Sequence, residues 1–476
     1  MHVYARWVPR IPHGPTMPAT SLLVESAISS ATGKRTLCSR AQRRSCRPLD
    51  AMHAYRIGAS IGKARRVGWC GPLHGPLHGP LKAVTNERTN EGVDEPAGYQ
   101  SQKRQTKEYD LVTLSNLCVD VIVPTDTLPV AVQETPKSQS LLEYLGQNSP
   151  PETSWEVGGN TNTLIAGARL GMRTSALGHI GDDAFGEFLE RVLRDENSGI
   201  CSTMLDDSLF DKQGLQNTLV CYVIVDKETN EHAFCSRYDF GPWPLFENMT
   251  TLSAGAEKAL QNTSAVFVNG FVFDEVPEAL VVHAARVSQA HGAAVLFDPG
   301  PRSWSFDDGG ARRHALDAML NIADIVLMTE EEAGAVVGTD DAHEAVRRLM
   351  DREGSNMSWC VVKMGERGAL LGDRKTGRVY EQEGYTVEVE DTVGCGDSFA
   401  AAIALGFRMC KQGEANIESS LALAGAVGAA TAMGEGAGRN VADIPRIRAI
   451  LEPAKSSRKV QGALQMIESA LQWTTN

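Results

Sequence analysis

No apolar run in this 476-residue chain approaches the roughly 20 residues that a bilayer span requires. The longest nearly uncharged helical candidate, Leu421 to Gly434, has 14 residues and is dominated by Ala and Gly, so a membrane partner is not expected. Ten cysteines, at Cys38, Cys46, Cys70, Cys118, Cys201, Cys221, Cys235, Cys360, Cys395 and Cys410, include no CxxC pair and follow no regular spacing. That speaks against a disulfide framework or a structural zinc and for free thiols in a reducing compartment. No GxxxxGK[ST] loop occurs either, so a bound nucleotide would need another device to hold its phosphates. Acidic residues are scarce only at the start: residues 1–108 hold 17 Lys+Arg against 7 Asp+Glu, which leaves 29 basic and 52 acidic residues for the rest, a balance of −23. Beyond residue 108 the chain lacks the basic excess that a nucleic-acid partner calls for.

What the opening residues do have is Arg, Ser, Ala and Pro. Residues 1–85 carry 13 Lys+Arg with only Glu25 and Asp50 as acids, the composition of an organelle transit segment, and have no apolar core of the secretory type. Plastid import is the preferred fate, with mitochondrion and cytosol behind it; an untranslated leader joined to the gene would have the same composition. The tandem Gly71-Pro72-Leu73-His74-Gly75-Pro76-Leu77-His78-Gly79-Pro80 reads as a flexible linker rather than a metal-binding histidine pair. Residues 1–108 are therefore set apart as a targeting or disordered extension, 109–453 as the folded domain and 454–476 as a C-terminal tail.

The most informative stretch is Asp391-Thr392-Val393-Gly394-Cys395-Gly396-Asp397-Ser398-Phe399. Before it, Tyr385–Glu390 alternates polar and apolar residues as a strand does; after it, Ser398–Cys410 suits a buried helix. Glycines at a strand-to-helix turn let a ligand approach the backbone, and the first N–H groups of the helix together with its dipole favour an anion. A carboxylate at Asp397 would repel that anion unless it has a task, and removing a proton from an attacking hydroxyl is one that fits. A plain helix start with Asp391 or Asp397 as its cap is the alternative. The whole string resembles the C-terminal signature, Asp-Thr-x-Gly-Ala-Gly-Asp, of the PfkB, or ribokinase-like, family of carbohydrate and nucleoside kinases; Cys395 stands where that family usually has Ala.

A second stretch, Gly158-Gly159-Asn160-Thr161-Asn162 through Gly171, has a double glycine opening a helix, with amides able to grip sugar hydroxyls. It resembles the family's N-terminal signature, Gly-Gly-x-x-x-Asn with an Arg-x-Gly end, and the substrate Asn falls at either Asn160 or Asn162. Gly181-Asp182-Asp183-Ala184-Phe185-Gly186 resembles a further family segment, Gly-Asp-Asp-x-x-Gly, with Asp182 read as a helix cap. Asp120 interrupts the apolar strand-like run Leu117–Val123, where a carboxylate is costly unless paired or bound to a ligand. The resemblance implies that Asp120 grips substrate hydroxyls, with Asn116, Gly158, Gly159 and one of Asn160 or Asn162 on the same side. It further implies Asp397 as general base and the N–H groups of Gly394, Cys395 and Gly396 as the anion hole. Thr392, Lys363, Gly365 and Gly434 fall on the nucleotide side. Thr329-Glu330-Glu331-Glu332 resembles Asn-x-x-Glu, which makes Glu332 an indirect Mg²⁺ residue, and Asp391 would lie beside a monovalent cation, K⁺. Asp298-Pro299-Gly300-Pro301-Arg302 is similar to Asp-x-Asn-x-Arg, with Gly300 replacing the Asn.

Strands and helices alternate from Ala265 to Lys363: Ala265–Asn269, Pro277–His291, Ala294–Asp298, Ala311–Ile322, Ile325–Met328, Ala342–Arg352 and Cys360–Lys363. Such alternation implies βαβ units, and ligands in the resulting sheets bind past the carboxyl ends of the strands. Leu421–Gly438 reads as an Ala/Gly helix. Thr218–Val225 and His232–Cys235 read as a hairpin. The fold expected is α/β: ribokinase-like, doubly wound, a mostly parallel sheet with helices on both faces and a small β lid from about 122–155 and 218–240. The resemblance adds ATP and Mg²⁺ as cofactors, a small-molecule sugar or nucleoside as partner, and a homodimer contact through the lid. The rival reading is a catalytically silent relative serving as an assembly component in an organelle.

Overall fold

Short β-branched runs bounded by polar residues set the strands, and the longer Ala- and Leu-rich runs between them set the helices. The structure, a computed structural model, describes residues 107–126, 139–196, 210–211, 217–227, 232–240, 243–300 and 311–473. Residues 1–106 of the expected leader, with the Gly-Pro-Leu-His tandem, positions 127–138 of the first lid segment, the turn 228–231 and Pro301-Arg302 lie outside the described residues.

Nine strands make one sheet: β1 (Leu111–Leu114), β4 (Thr174–His179), β5 (Phe210–Asp211), β8 (Ala265–Asn269), β9 (Ala294–Asp298), β10 (Ile325–Thr329), β11 (Trp359–Lys363), β12 (Ala369–Asp373) and β13 (Arg378–Gln382). Their spatial order is β13-β12-β11-β10-β9-β8-β1-β4-β5. Pairing is parallel from β5 to β11, and β12 and β13 add antiparallel strands at one edge. Successive side chains separate the two faces. In β10, Ile325 and Leu327 join the core beneath the helices Thr161–Arg169, Cys395–Gln412 and Ile417–Ala432, whereas Val326 and Met328 join the core beneath Glu278–Ala290 and Ala342–Met350. The doubly wound arrangement follows from that alternation. Strand order reverses at β1, and the carboxyl ends of β1, β8, β9, β10 and β11 share one edge.

A second sheet, ordered β3-β2-β6-β7, is built from β2 (Leu117–Thr125), β3 (Trp155–Gly159), β6 (Leu219–Asp226) and β7 (His232–Ser236). Only Ser115 and Asn116 separate β1 of the first sheet from β2 of the second.

Several segments differ from their sequence-based expectations. Tyr385–Glu390 is not a strand: it has no partner strand beyond β13, and Tyr385 and Glu390 instead bond to carbonyls of the helix Ile417–Ala432, at Ala422 and Ala432. That helix starts earlier and stops sooner than expected, ending at Ala432 rather than Gly438. The helix after the glycine turn begins at Cys395, so Gly396 and Asp397 are inside its first turn. The cap of Ala184–Asp195 is Asp183, not Asp182, because Asp183 is the one whose carboxylate accepts from Gly186 N (2.8 Å). Residues expected as a tail include a helix, Arg458–Trp473, with Val460, Ala463, Met466, Ile467 and Ala470 buried in the main core. The Arg408 guanidinium also lies 4.1 Å from the Trp473 ring. Ile467→Ala should therefore cost about 2–5 kcal/mol, the usual range for emptying a packed core site, read as a lowered urea midpoint. A cost below about 0.5 kcal/mol would place this helix outside the core.

Candidate active site

The site begins at the joint between the sheets. Ser115 (φ 56°) and Asn116 (φ 54°) are the non-glycine residues with left-handed backbone among those described, a conformation that costs a residue with a Cβ. Fully buried Glu275, just after β8, holds them there: it accepts from Ser115 Oγ, from Asn116 N (2.9 Å) and from the Tyr238 hydroxyl. Burial pushes its carboxyl up to about 7, although all three of these bonds favour the ionised form. Asn160 clasps the joint from the other side. Its amide donates to Leu114 O (3.1 Å) and Ser115 O (2.7 Å) and accepts from Asn269 Nδ2 (2.9 Å). Gly159 is left-handed too (φ 61°), and a Cβ there would lie 2.3 Å from Asn116 O. The Asn116 side chain accepts from the Tyr238 hydroxyl at 3.0 Å.

Four residues beyond the joint, β2 carries Asp120 opposite Glu156 of β3. A Cβ on Gly158 would come within 2.4 Å of the Asp120 carboxylate, so this glycine makes the room in which Asp120 sits. Burial first, then the charges of Glu156 and Asp397, push Asp120 up to about 7. The second sheet thus holds a carboxylate near enough for the Asp397 charge to act on it.

Asp397 lies in the first turn of Cys395–Gln412, whose N-cap, Gly394 (φ 78°), supplies no side-chain cap. The leading N–H groups of a helix have no partners within it, so this end is open to an acceptor. Cys395 N–H turns back to Thr392 O (3.3 Å), which corrects the expected trio of donors by leaving the cradle chiefly to Gly394 and Gly396. Asn162 donates from Nδ2 to Asp397 Oδ2 (2.9 Å), while its Oδ1 accepts from Gly438 N (2.8 Å), a pairing that fixes which way the amide faces. Of the two candidate asparagines, Asn162 is the one in the cradle; Asn160 is spent on the joint. Burial, then the Asp298 charge, raises the Asp397 carboxyl to about 6, against the opposing pulls of Asn162 and Lys363.

Across the cradle, Lys363 at the end of β11 binds Asp298 at the end of β9 (Nζ to Oδ2, 2.6 Å). Burial would lower the ammonium pKa, yet Asp298, Glu332 and Asp397 together hold it above its ordinary value. Glu332 sits beside them, raised to about 7 by burial and by Asp298. It also closes a capping box with Thr329: Thr329 N donates to Glu332 Oε2 (2.8 Å) and Glu332 N to Thr329 Oγ1 (3.2 Å).

The remaining expected residues are less central. Asp391 accepts from Val393 N and Gly436 N, both at 3.0 Å, and so ties the glycine turn to the loop after the Ala/Gly helix. Thr392 is exposed beside it. Gly365 is an exposed left-handed residue (φ 60°) starting the turn after Lys363. Gly434 is a packing position, since a Cβ there would meet Asn440 O at 2.5 Å. Cys395 is pushed up to about 12 by burial and by Asp391 and Asp397, which makes it a protonated packing residue rather than an oxidation-sensitive thiolate. Glu275, Tyr238, Asn269, Gly438 and the pair Glu156–Arg439 (2 bonds, 3.0 and 3.2 Å from Nε) were not singled out from sequence. Their partners lie up to 283 positions away, and only folding brings them together.

The model of the pfkB family of carbohydrate kinases matches residues 131–444. The chain belongs to that family. Among curated members it is 26% identical over 309 residues to the 5-dehydro-2-deoxygluconokinase of Bacillus subtilis, covering 63% of this chain and 84% of that one. It is 27% identical over 284 residues to the fructokinase of Klebsiella pneumoniae, covering 59% and 86%. Arabidopsis thaliana ribokinase, solved with ribose and ATP, shares the fold at a TM-score of 0.54 and 18% identity, covering 72% of this chain and 98% of that one.

As a pfkB-family carbohydrate kinase, the protein is a phosphotransferase, and the site can be tested against ATP and Mg²⁺. An uncapped helix end with a lysine facing it fits a phosphate group. Among the described residues no group of three or more His, Cys, Asp or Glu could hold a metal ion alone. Glu332 fits a more distant role, through water, for a cation that also carries phosphate oxygens.

A carboxyl raised in the folded state binds its proton more tightly there than in the unfolded chain, so Asp397 subtracts stability as pH rises from about 4, its unfolded value, through about 6. Asp397→Asn should therefore have a higher urea midpoint than the parent at pH 8, with the gap closing toward pH 4. A lower midpoint at pH 8 would mean that the Asp397 carboxylate is stabilising.

Proposed function

We propose that this kinase transfers the γ-phosphoryl group of ATP to a hydroxymethyl group of a fructose- or ribose-like sugar or of a nucleoside, with Asp397 as general base. The observation that carries the reading is the half-buried Asp397 carboxylate in the first turn of an open helix end, with Asn162 on one oxygen and the other left for an acceptor hydroxyl. Asp120 and Asn162 orient the acceptor. Its hydroxyl oxygen attacks the phosphorus, the bond from phosphorus to the β-phosphate oxygen breaks, and the hydroxyl proton passes to Asp397. N–H groups of the cradle meet the charge gathering on the transferred group. Mg²⁺ bound with the nucleotide would neutralise phosphate charge, with Glu332 ordering its water; Asp391 is the residue nearest a role with K⁺. The second sheet acts as the lid, its closure keeping water from the transfer. Residues 1–108 route the chain to the plastid, and a fluorescent fusion of that segment that stayed in the cytosol would contradict this.

Asp397→Asn should lower kcat by at least about a hundredfold. In the parent enzyme log kcat/KM should rise with pH up to about 6 and level off above it, because only the ionised carboxylate accepts the proton. Near-parental turnover by the Asn variant would refute the base. A panel of sugars and nucleosides assayed for ADP release identifies the acceptor; ATP binding without turnover of any acceptor would favour a silent relative.

A further inference from the structure

The loop that follows the helix Ile417–Ala432 touches three parts of the site. Gly436 N–H donates to Asp391 Oδ2 (3.0 Å), at the head of the glycine turn. Gly438 N–H donates to Asn162 Oδ1 (2.8 Å), and the same amide donates from Nδ2 to Asp397 Oδ2 (2.9 Å). Arg439 then ties the loop to the second sheet. Its backbone N–H donates to Glu156 Oε1 (3.1 Å), its Nε reaches both Glu156 oxygens (3.2 and 3.0 Å), and its Nη2 reaches Trp155 O (3.3 Å). The fit is close: Gly438 is left-handed (φ 60°), and a Cβ on it would lie 2.4 Å from Glu156 Oε1. From the main domain, Arg169 donates to Arg439 O (2.8 Å) and Val441 O (2.6 Å), which holds the carbonyl side of the loop.

An ion pair in which the arginine is 49% exposed contributes little to stability, so the effect of Glu156–Arg439 lies in where it puts the loop. An ionised carboxylate only accepts hydrogen bonds, whereas an amide has a donating and an accepting end. Gly438 N–H engages the accepting end of Asn162 and so leaves the donating end for Asp397. A turned amide would set its oxygen against the Asp397 carboxylate, two acceptors facing each other. Glu156 belongs to β3 and stands opposite Asp120 of β2. The second sheet and Asp397 are therefore joined through Glu156, Arg439, Gly438 and Asn162 in turn.

We propose that Arg439 is a positioning residue for the transfer step: pinned on Glu156, it fixes the Gly438 N–H that orients the Asn162 amide and, through it, the Asp397 carboxylate. The proposal rests on the kinase reading above. Because Glu156 rides on the second sheet, seating of that sheet over the acceptor and orientation of the base become one event. The Asn162 bond also favours the ionised form of Asp397, as Lys363 of β11 does, against burial and the charge of Asp298 on β9. Asp120 of β2 and the Cys395 thiol feel the same carboxylate. Loosening the amide therefore raises the pH at which Asp397 ionises.

The test is the pH profile of kcat/KM for the full chain with ATP, Mg²⁺ and the acceptor found by the panel. Arg439→Met should move the midpoint upward from about 6 by at least about half a pH unit and lower the plateau at least about fivefold, the scale of one weakened hydrogen bond to a charged group. Added to Asn162→Ala, the same substitution should change the plateau by less than about twofold and leave the midpoint where Asn162→Ala alone puts it, because Arg439 acts through that amide. Arg439→Gln keeps a donor for Glu156, guards the fold, and should shift the midpoint the same way by less. An unmoved midpoint in the folded Arg439 variants, or a loss that adds in full to that of Asn162→Ala, would overturn the proposal. No turnover of any acceptor by the parent chain is a different result and would refute the kinase reading itself.

Discussion

Two consecutive residues in a left-handed backbone join the two sheets, and a single buried carboxylate, Glu275, keeps them there. That constraint governs the rest of the site. Asp120 rides on the strand that leaves the joint, while Asp397 rides on a helix packed against the main sheet, so the angle at Ser115–Asn116 sets how the two carboxylates face each other. Asn160 reinforces the same joint through Leu114 O and Ser115 O. The glycines at 158 and 159 are needed because Asp120 and Asn116 come within 2.4 and 2.3 Å of where their Cβ atoms would be. Left-handed geometry outside glycine costs of order 1–3 kcal/mol per residue, and the bonds to Glu275 offset it. The double glycine is thus less a flexible element than the empty space into which the Asp120 carboxylate and a strained joint fit.

The second governing feature is electrostatic. Asp120, Glu275, Glu332 and Asp397 all have carboxyls raised to about 6 or 7, in each case by burial first. A general base working near neutral pH, the role proposed for Asp397, needs a value in that region, and burial contributes to it ahead of any neighbouring charge. Lys363 and Asn162 pull Asp397 the other way and keep it from going higher. The same exclusion of water strengthens every donor aimed at the cradle.

Much of this was legible in the sequence, for identifiable reasons. The βαβ alternation from Ala265 to Lys363 appears as expected because its strands are buried on both faces and therefore continuously apolar. The Gly394–Asp397 turn was legible because its residue types are local to one another. Tyr385–Glu390 misled because alternation alone cannot say whether a partner strand exists; here the segment lies along a helix. Arg458–Trp473 looked like a tail because it follows the last recognisable motif, yet its apolar stripe closes the core. The choice between Asn160 and Asn162 depended on Leu114, Asn269 and Gly438, and Glu275 gave no signal at all, since its work is done on residues about 160 positions earlier.

The central claim is that an acceptor held by the second sheet and a phosphoryl group held at the start of Cys395–Gln412 meet at Asp397. A crystal structure of the protein with a non-hydrolysable ATP analogue, Mg²⁺ and the acceptor found by the panel tests it most directly. The account predicts the reacting hydroxyl within hydrogen-bond distance of the free Asp397 oxygen and the terminal phosphate against the N–H groups of Gly394 and Gly396. An acceptor hydroxyl placed away from Asp397, or a terminal phosphate bound elsewhere, would contradict it.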